Sequence, residues 1–244
     1  MYDNMAYVYD KLMLDADYEK RAKYCLSLFE KFDRKPTLLL DLCCGTGNFS
    51  VLFSKENISV IGNDISEDML SVARQKSEGL DILYLNQSAE DLDLYGTVDG
   101  AVCLMDSLNH ITDYEVLKNA VKKVSLFLEK DRLFIFDVNT PFKAESVLGN
   151  NTFVSEENGV FLAWQNEYDK DLKTNNIYLD FFMETAEGKY ERKSEEITEK
   201  VYLKSEIEEA LNEAGLRIEA IFDDMKKTPP TETSQRVFYV TRKL

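Results

Sequence analysis

A buried strand followed by a glycine-containing turn constrains the fold more than any other part of the chain. Residues 38–50 read LLLDLCCGTGNFS: an apolar run ends at Asp41, the small residues Cys43, Gly45 and Gly47 follow, and a helical apolar pattern then begins. Glycines in such a turn let the backbone approach a ligand, and the start of a helix offers free N–H groups. The segment therefore predicts a parallel strand, a tight turn and a helix at a ligand-binding edge.

An acidic residue closes the next predicted strand. The segment Ile58–Asn63 reads as a second strand, and Asp64 follows it, 17 residues after Gly47. A carboxylate at this place can accept both hydroxyls of an adenosine ribose. The turn and the acid together predict a cofactor that contains adenosine. A nicotinamide dehydrogenase is the weaker alternative, because its usual turn is GxGxxG and this chain has DxCxGxG.

Strand and helix patterns alternate to about residue 140 and return after residue 201. Repeated β-α-β units of this length predict an α/β fold with a mostly parallel sheet and helices on both faces. Between them, the segments FLAWQNEY, NNIYLDFFME and KYERKSEEITEKV predict an inserted antiparallel β-sheet. The expected organisation is a cofactor-binding domain of residues 1–140 and 201–244, with residues 141–200 as a substrate or lid subdomain.

The chain is strongly acidic, with 45 Asp and Glu against 29 Lys and Arg and a net charge of −16. Such a surface repels polyphosphate backbones at long range and argues against a nucleic-acid substrate, although a local basic patch would override the average. No stretch is long enough to span a membrane, and the N-terminus MYDNMAYVYDKL shows no signal peptide.

Cysteine usage points to a reduced, cytoplasmic setting. The four cysteines form no CxxC pair, and the chain has one histidine, so no metal is expected. The glutamate-rich stretch Glu191–Glu199 is interpreted as a solvated strand face rather than a calcium loop.

In its motifs and in the order of its elements, the chain resembles the class I S-adenosylmethionine-dependent methyltransferases. The resemblance covers about Leu38 to Asn139 by motif and the last two strands by pattern. The segments MAYVYDKLM, CLMDSLNHI and FDVNTPFK further resemble a bacterial subgroup of small methyltransferases with poorly defined substrates. The resemblance implies a Rossmann-like, seven-stranded fold and S-adenosyl-L-methionine as the cofactor.

The resemblance also implies which residues contact the cofactor. The glycine turn would carry the methionine part, the end of the second strand the ribose, and the loop after the third strand the adenine. The end of the fourth strand would face the methyl group, and an N-terminal tyrosine, Tyr9 or Tyr2, would fold over it. Cys43 stands where the family has a glycine, and Ser88 where it often has an acid. The expected contacts are Asp41, Cys43, Gly45, Gly47, Asp64, Ile65, Ser88, Ala89, Glu90, Cys103 and Tyr9.

Two residues after the fourth strand are candidates for catalysis. His110 could act as a general base, since an imidazole titrates near neutral pH, or it could pack under the cofactor. Asp106 could contact the sulfonium side or orient a substrate amine, or it could cap the following turn. Methyl transfer from a sulfonium is an in-line displacement with a good leaving group, so a dedicated base is optional.

The insert is expected to supply the acceptor pocket. Trp164, Tyr168 and Arg192 are the candidate substrate contacts, with burial on the core as the alternative for the aromatic rings. Arg236 is predicted to lie at the surface, with the binding of an acidic substrate as the alternative. The predicted function is methyl transfer to N or O of a small molecule. The alternatives are methylation of tRNA or another RNA, and a protein that binds the cofactor without methylating.

Overall fold

The structure is a computed structural model and describes residue 10 and residues 17–157, 159–185 and 187–244. Within these ranges the α-helices are α1 (Tyr18–Phe32), α2 (Asn48–Lys55), α3 (Glu67–Lys76), α4 (Tyr114–Phe127) and α5 (Lys204–Glu213). The strands are β1 (Leu38–Leu42), β2 (Ser59–Asp64), β3 (Ile82–Asn86), β4 (Gly100–Cys103), β5 (Leu133–Asn139), β6 (Thr152–Glu157), β7 (Val160–Asp169), β8 (Thr174–Glu184), β9 (Tyr190–Lys200), β10 (Leu216–Asp223) and β11 (Arg236–Lys243). Two short 3₁₀ helices, Ala89–Asp91 and Ser107–His110, and a π-helical segment, Lys143–Leu148, lie between them.

The main sheet has seven strands in the order β10-β11-β5-β4-β1-β2-β3. Strands β1 to β5 pair in parallel, and β11 runs antiparallel to both β5 and β10. This arrangement confirms the predicted Rossmann-like, mostly parallel sheet. The strand order reverses between β4 and β1, because the chain extends the sheet first through β2 and β3 and then through β4 and β5.

Both faces of the sheet are covered by helices, as the apolar composition of the central strands predicts. All seven residues of β5 are buried, and they alternate between the two faces. Phe134 and Phe136 belong to the core cluster that holds α4 and α5, whereas Leu133 and Ile135 belong to the cluster that holds α1 and α2.

The chain between β5 and α5 forms a separate antiparallel sheet in the order β6-β7-β8-β9. This sheet has a small apolar core of its own, in which Val160, Phe181 and Ile197 are buried. Alternate residues of β8 are buried and half-buried, so one face of this sheet is covered and the other is more open. No helix in the described part of the chain is long and apolar enough to cross a membrane.

Candidate functional site

A cavity of about 400 Å³ lies at the carboxyl ends of the parallel strands, where the strand order reverses. Its walls come from the turns that follow β1, β2, β3 and β4, and from Asp113 and Val116 at the start of α4. Ligands of open α/β sheets bind in the crevice at such a reversal point. The residues that the sequence singles out after β1 and β2 therefore meet at one site.

The glycine turn after β1 has the backbone conformation that its sequence predicts. Cys43, Gly45 and Gly47 have φ values of 56°, 54° and 73°. A Cβ atom on Gly45 would meet no atom within 4 Å. Because Gly45 lines the cavity, this empty space is available to a ligand. A Cβ atom on Gly47 would lie 2.5 Å from the hydroxyl oxygen of Tyr84, so this glycine allows α2 to pack closely on β3.

Asp64, at the end of β2, joins the glycine turn to the next loop. Its Oδ2 accepts a hydrogen bond from the backbone N–H of Gly45 at 2.8 Å, and its Oδ1 accepts one from the N–H of Ser66 at 2.9 Å. An ionised carboxylate has about four acceptor positions, so it can accept further bonds from a ligand in the cavity. Burial raises the pKa of Asp64, and the two backbone donors oppose that rise.

Asp41, within β1, is buried directly below the turn and also lines the cavity. The hydroxyl of Ser50 donates to its Oδ2 at 2.5 Å. Burial raises the pKa of Asp41 from 3.8 to about 7, because the ionised carboxylate loses its hydration without gaining a cation. A cationic group placed in the cavity would supply that missing partner.

The far end of the cavity is formed by the loops after β2 and β3. Ser88, Ala89 and Glu90 line it, and the Ser88 hydroxyl donates to Asp91 at 2.8 Å. Ile65 lines the same end with 68% of its surface exposed, although it is apolar. A flat apolar ligand placed against Ile65 would remove that surface from water.

Eight of the eleven predicted cofactor contacts line the cavity: Asp41, Cys43, Gly45, Asp64, Ile65, Ser88, Ala89 and Glu90. Gly47 does not line the cavity. Cys103 is fully buried in the core, because neighbouring strand residues point to opposite faces and the next residue, Leu104, faces the cavity instead. Tyr9 and Tyr2 lie outside the described residues.

His110 lines the cavity at the end of the Ser107–His110 helix. The neighbouring Asn109 is fully buried and fixes this helix from two sides. Its Nδ2 donates to the backbone carbonyl of Lys200 at 2.7 Å, and its Oδ1 accepts from the backbone N–H of Asn139 at 3.0 Å. The helix that carries His110 is thereby attached to the end of β9 in the insert and to the end of β5.

A buried carboxylate of the insert reaches His110. Glu199 Oε1 lies 3.9 Å from His110 Nε2, and Glu199 Oε2 accepts a hydrogen bond from Asn139 Nδ2 at 3.2 Å. Burial and the nearby charge of Asp106 raise the pKa of Glu199, while His110 and Lys143 oppose that rise. The interpretation of Glu191–Glu199 as a solvated strand face is therefore wrong at Glu199, which is 8% exposed.

Asp106 does not reach the cavity wall but belongs to a buried ionic cluster behind His110. Arg236 Nη2 lies 2.9 Å from Asp106 Oδ1, and Arg236 also pairs with the buried Asp137. Lys143 Nζ lies 3.9 Å from Asp106 Oδ2 and donates to Asn139 Oδ1 at 2.8 Å. Burial alone would raise the pKa of Asp106, but Arg236 and Lys143 hold it well below its usual range.

The prediction of a surface position for Arg236 is wrong, since its side chain is buried between two carboxylates. The register of β11 on β5 places Arg236 beside Asn139, at the same edge as the ionic cluster. Sequence reasoning also missed Asn139 and Lys143, although both lie in the segment FDVNTPFK at the carboxyl end of β5, where ligand-facing residues are expected.

Comparison with known proteins identifies the family. Residues 39–131 match the family model described as a methyltransferase domain. A Geobacillus sp. (strain WCH70) protein, named as a candidate methyltransferase, is 30% identical over 246 residues, covering 99% of each chain. A crystal structure of an S-adenosylmethionine-dependent methyltransferase from Clostridium acetobutylicum is 31% identical, covers 99% of this chain and 98% of that one, and superposes with a TM-score of 0.89. The chain belongs to the class I S-adenosylmethionine-dependent methyltransferases.

This methyltransferase also shares its fold with a more distant structure that contains the cofactor. An amino pentose methyltransferase of Micromonospora echinaspora, solved with S-adenosylmethionine bound, superposes with a TM-score of 0.77 at 19% identity and covers 96% of each chain. S-adenosylmethionine is the cofactor of this chain, as its family match and the 31% identical Clostridium acetobutylicum methyltransferase show.

The chemistry of the cavity fits S-adenosylmethionine, which carries a sulfonium and an ammonium cation. Among the described residues, the lining includes the carboxylates of Asp41, Asp64, Glu90 and Asp113 and no lysine or arginine. The space above Gly45 leaves room for a ligand at the turn, and the exposed Ile65 offers an apolar surface to a base. The described residues contain no group of three or more His, Cys, Asp or Glu that could hold a metal ion.

The three predicted substrate contacts lie on the insert, outside the cavity wall. Trp164 and Tyr168 lie on the covered face of the insert, because they pair with Leu179 and Asn175 in the register of β7 on β8. Arg192 lies on the open face and makes two hydrogen bonds of 2.9 Å to Asp180. The structure thus brings His110 to the cavity, and it places these three residues away from it.

Proposed function

We propose that this methyltransferase transfers the methyl group of S-adenosylmethionine to the nitrogen of a small acceptor that carries an amino group. The charge balance behind His110 supports the proposal. The cluster contains three carboxylates, Asp106, Asp137 and Glu199, but two cations, Lys143 and Arg236. A buried carboxylate without a full positive partner has a raised pKa, as Glu199 has, so the cluster favours one further positive charge. An acceptor ammonium at His110 would supply it.

The cofactor is proposed to bind along the wall that Gly45, Asp64 and Ile65 form. Asp64 would accept the ribose hydroxyls, the Ser88–Glu90 loop would contact the adenine, and Asp41 would face the ammonium of the methionine part. These assignments rest on the charges and the space of the lining residues. They orient the methionine end of the ligand toward the glycine turn, and hence toward Leu104, Met105 and His110.

The protein then has to present a neutral nitrogen to an electrophile. S-adenosylmethionine supplies a methyl group on a sulfonium sulfur, which becomes a neutral thioether when the methyl group leaves. An ammonium has no free electron pair, so the acceptor must first lose a proton. His110 lines the cavity next to Ser107 and Ile111, and we assign it the role of the base that takes this proton. Its imidazolium form then lies beside Glu199.

The more distant structural relative is in line with this acceptor class. Its name states that it methylates an amino pentose, a small molecule that carries an amine. Because its identity to this chain is 19%, the likeness concerns the fold, and the proposal rests on the charges around His110. The absence of lysine and arginine from the described cavity lining disfavours an RNA acceptor, whose phosphates require cations.

A methylation screen tests the proposal. S-adenosylmethionine with a labelled methyl group is incubated with the protein and with separate panels of small amines, matched hydroxyl analogues and tRNA. We expect label in the amine panel. His110→Ala should lower turnover by about 10²-fold, the usual contribution of a general base. Its affinity for S-adenosylmethionine in calorimetry should stay nearly unchanged. Label in the hydroxyl analogues or in tRNA alone would overturn the proposed acceptor.

A further inference from the structure

The inner end of β9 differs from the rest of that strand. Glu191 and Glu196 of β9 are exposed, whereas Glu199 is buried as the strand leaves the sheet. The register on β8 places Glu199 beside Asn175, which is fully buried. The pairing of β9 with β8 therefore holds the Glu199 carboxylate in a buried position next to His110.

The two oxygens of Glu199 have separate roles. Oε2 accepts a hydrogen bond from Asn139, so the carboxylate cannot turn freely. Oε1 is left toward His110 Nε2 at 3.9 Å, which is an ion-pair distance and too long for a hydrogen bond. Within the described residues, Glu199 lies at ion-pair distance from His110 and from no lysine or arginine.

The other acidic groups around His110 already have partners. Asp106 interacts electrostatically with His110, but it is paired with Arg236 at 2.9 Å. Asp64, across the cavity, also interacts with the charge of His110 and accepts two backbone hydrogen bonds. Lys143, the nearby cation, donates to Asn139 and opposes a positive charge on the imidazole. Among the described carboxylates that interact with His110, Glu199 is thus the one that has neither a lysine or arginine ion pair nor two backbone hydrogen bonds.

We infer that Glu199 is a positioning residue for His110: the insert supplies the carboxylate that orients the imidazole and stabilises its protonated form. The inference rests on the proposed function for the role of His110 as a base. During transfer, the proton of the acceptor nitrogen goes to the imidazole and the nitrogen electron pair forms the bond to the methyl carbon. The methyl–sulfur bond breaks with its electron pair left on sulfur, and the methylated nitrogen takes over the positive charge of the sulfonium. Within the cluster, Lys143, Arg236 and the protonated His110 then face the three carboxylates.

The same geometry links the insert to the catalytic position. Asn109 bonds the carbonyl of Lys200, the residue after Glu199, and the backbone of Asn139. Asn139 in turn bonds Glu199. These contacts attach the end of β9, which carries Glu199, to the helix that carries His110.

Because His110 is the only histidine of the chain, NMR can follow its protonation without any acceptor. The full-length protein, labelled with ¹³C-histidine, is titrated between pH 5 and 9. The midpoint of the single imidazole signal is compared among the wild type, Glu199→Gln and the control Glu196→Gln, which changes an exposed residue of the same strand. A carboxylate near an imidazole favours the charged form, so Glu199→Gln should lower the midpoint by about one pH unit. Glu196→Gln should leave it unchanged.

A second variant tests the inference if Glu199→Gln does not fold. Glu199→Asp keeps the charge but withdraws it by one methylene, and we expect a smaller downward shift than in Glu199→Gln. Affinity for S-adenosylmethionine, measured by calorimetry, should stay within about twofold in both variants, because Glu199 does not line the cavity. An unchanged midpoint in the folded variants would overturn the inference. If the midpoint falls but no amine is methylated, the interaction between Glu199 and His110 stands and the proposed amine acceptor is rejected.

Discussion

Two glycines in one turn have different physical roles. Gly45 and Gly47 both have positive φ, so alanine is strained at either position by about 1–2 kcal/mol. Their surroundings differ, because the Cβ position of Gly45 opens to the cavity and that of Gly47 meets the Tyr84 hydroxyl at 2.5 Å. The strain is thus shared, whereas the effect of the added methyl group is specific to each position.

We expect Gly45→Ala to weaken S-adenosylmethionine binding by at least about tenfold, with a stability loss of about 1–2 kcal/mol from the strained φ. Gly47→Ala should destabilise the fold more, because the overpacking against Tyr84 adds about 1–3 kcal/mol to the strain. Calorimetry with the cofactor and urea unfolding of the cofactor-free protein measure the two effects. Equal losses of affinity and stability in both variants would contradict this division of roles.

The buried Asp41 predicts a dependence of stability on pH. Its pKa is about 7 in the folded chain and 3.8 in the reference state, so folding favours its protonated form. The stability that this carboxyl contributes is fully present below about pH 4 and is lost as the pH rises through 7. A shift of about 3 units corresponds to about 4 kcal/mol at most.

The comparison with Asp41→Asn, which cannot ionise, isolates this effect. Without cofactor, the wild type should lose stability relative to Asp41→Asn between about pH 4 and 7.5, measured by urea unfolding at each pH. With S-adenosylmethionine bound, the difference should shrink, because the ligand ammonium would neutralise Asp41. Parallel stability curves of the two proteins across this range would show that Asp41 does not titrate there.

At the scale of helices and strands, the sequence predicts the features that depend on local signals, such as capping residues and apolar periodicity. Ser66 and Asp113 precede apolar helical patterns and are of the residue types that cap helices. In the structure both do so, because Ser66 Oγ accepts from the N–H of Met69 and Asp113 accepts from that of Glu115. The alternation of strand and helix also predicts the main sheet, since each β-α-β unit follows from apolar periodicity and turn residues. The antiparallel insert was recognisable for the same reason.

The partners of single buried side chains could not be predicted, because they depend on strand register over long separations. Arg236 and Asp137 are 99 positions apart in the chain and meet because β11 pairs with β5 in one particular register. Glu199 belongs to a run of charged residues that also contains the exposed Glu191 and Glu196. No local pattern separates these two side chains from ordinary surface charges.

The register of β11 leads to a prediction for Arg236. Arg236→Met removes the partner of Asp106 and Asp137 and leaves both carboxylates buried, which should cost about 3–5 kcal/mol of unfolding free energy. Arg192→Met is the matched control, since it breaks the exposed pair with Asp180 and should cost less than about 1 kcal/mol. Urea unfolding at neutral pH compares the two. Similar costs would mean that the buried pair contributes no more than a surface one.

At the scale of the whole molecule, the cofactor cavity and the insert are built from different parts of the chain. All described residues that line the cavity lie between Tyr18 and Val116, before the insert begins. The insert has its own apolar core and contacts the cavity region through the ends of its strands, chiefly at Glu199 and Lys200. Because no described residue of the insert lines the cavity, the cofactor site should tolerate removal of the inserted sheet.

We therefore predict that replacing residues 151–199 by a flexible Gly/Ser linker preserves cofactor binding and abolishes methyl transfer. A linker of about eight residues is long enough, because the chain ends are separated by three strand spacings of about 4.8 Å each and a short offset along the strands. Calorimetry should give an S-adenosylmethionine affinity within about threefold of the intact protein, and circular dichroism should confirm the α/β fold. The acceptor screen should give no labelled product, because the variant lacks Glu199 and the covered face of the insert. A folded variant that no longer binds the cofactor would show that the insert forms part of the cofactor site, and retained transfer would show that the acceptor is held by the sheet edge and His110 alone.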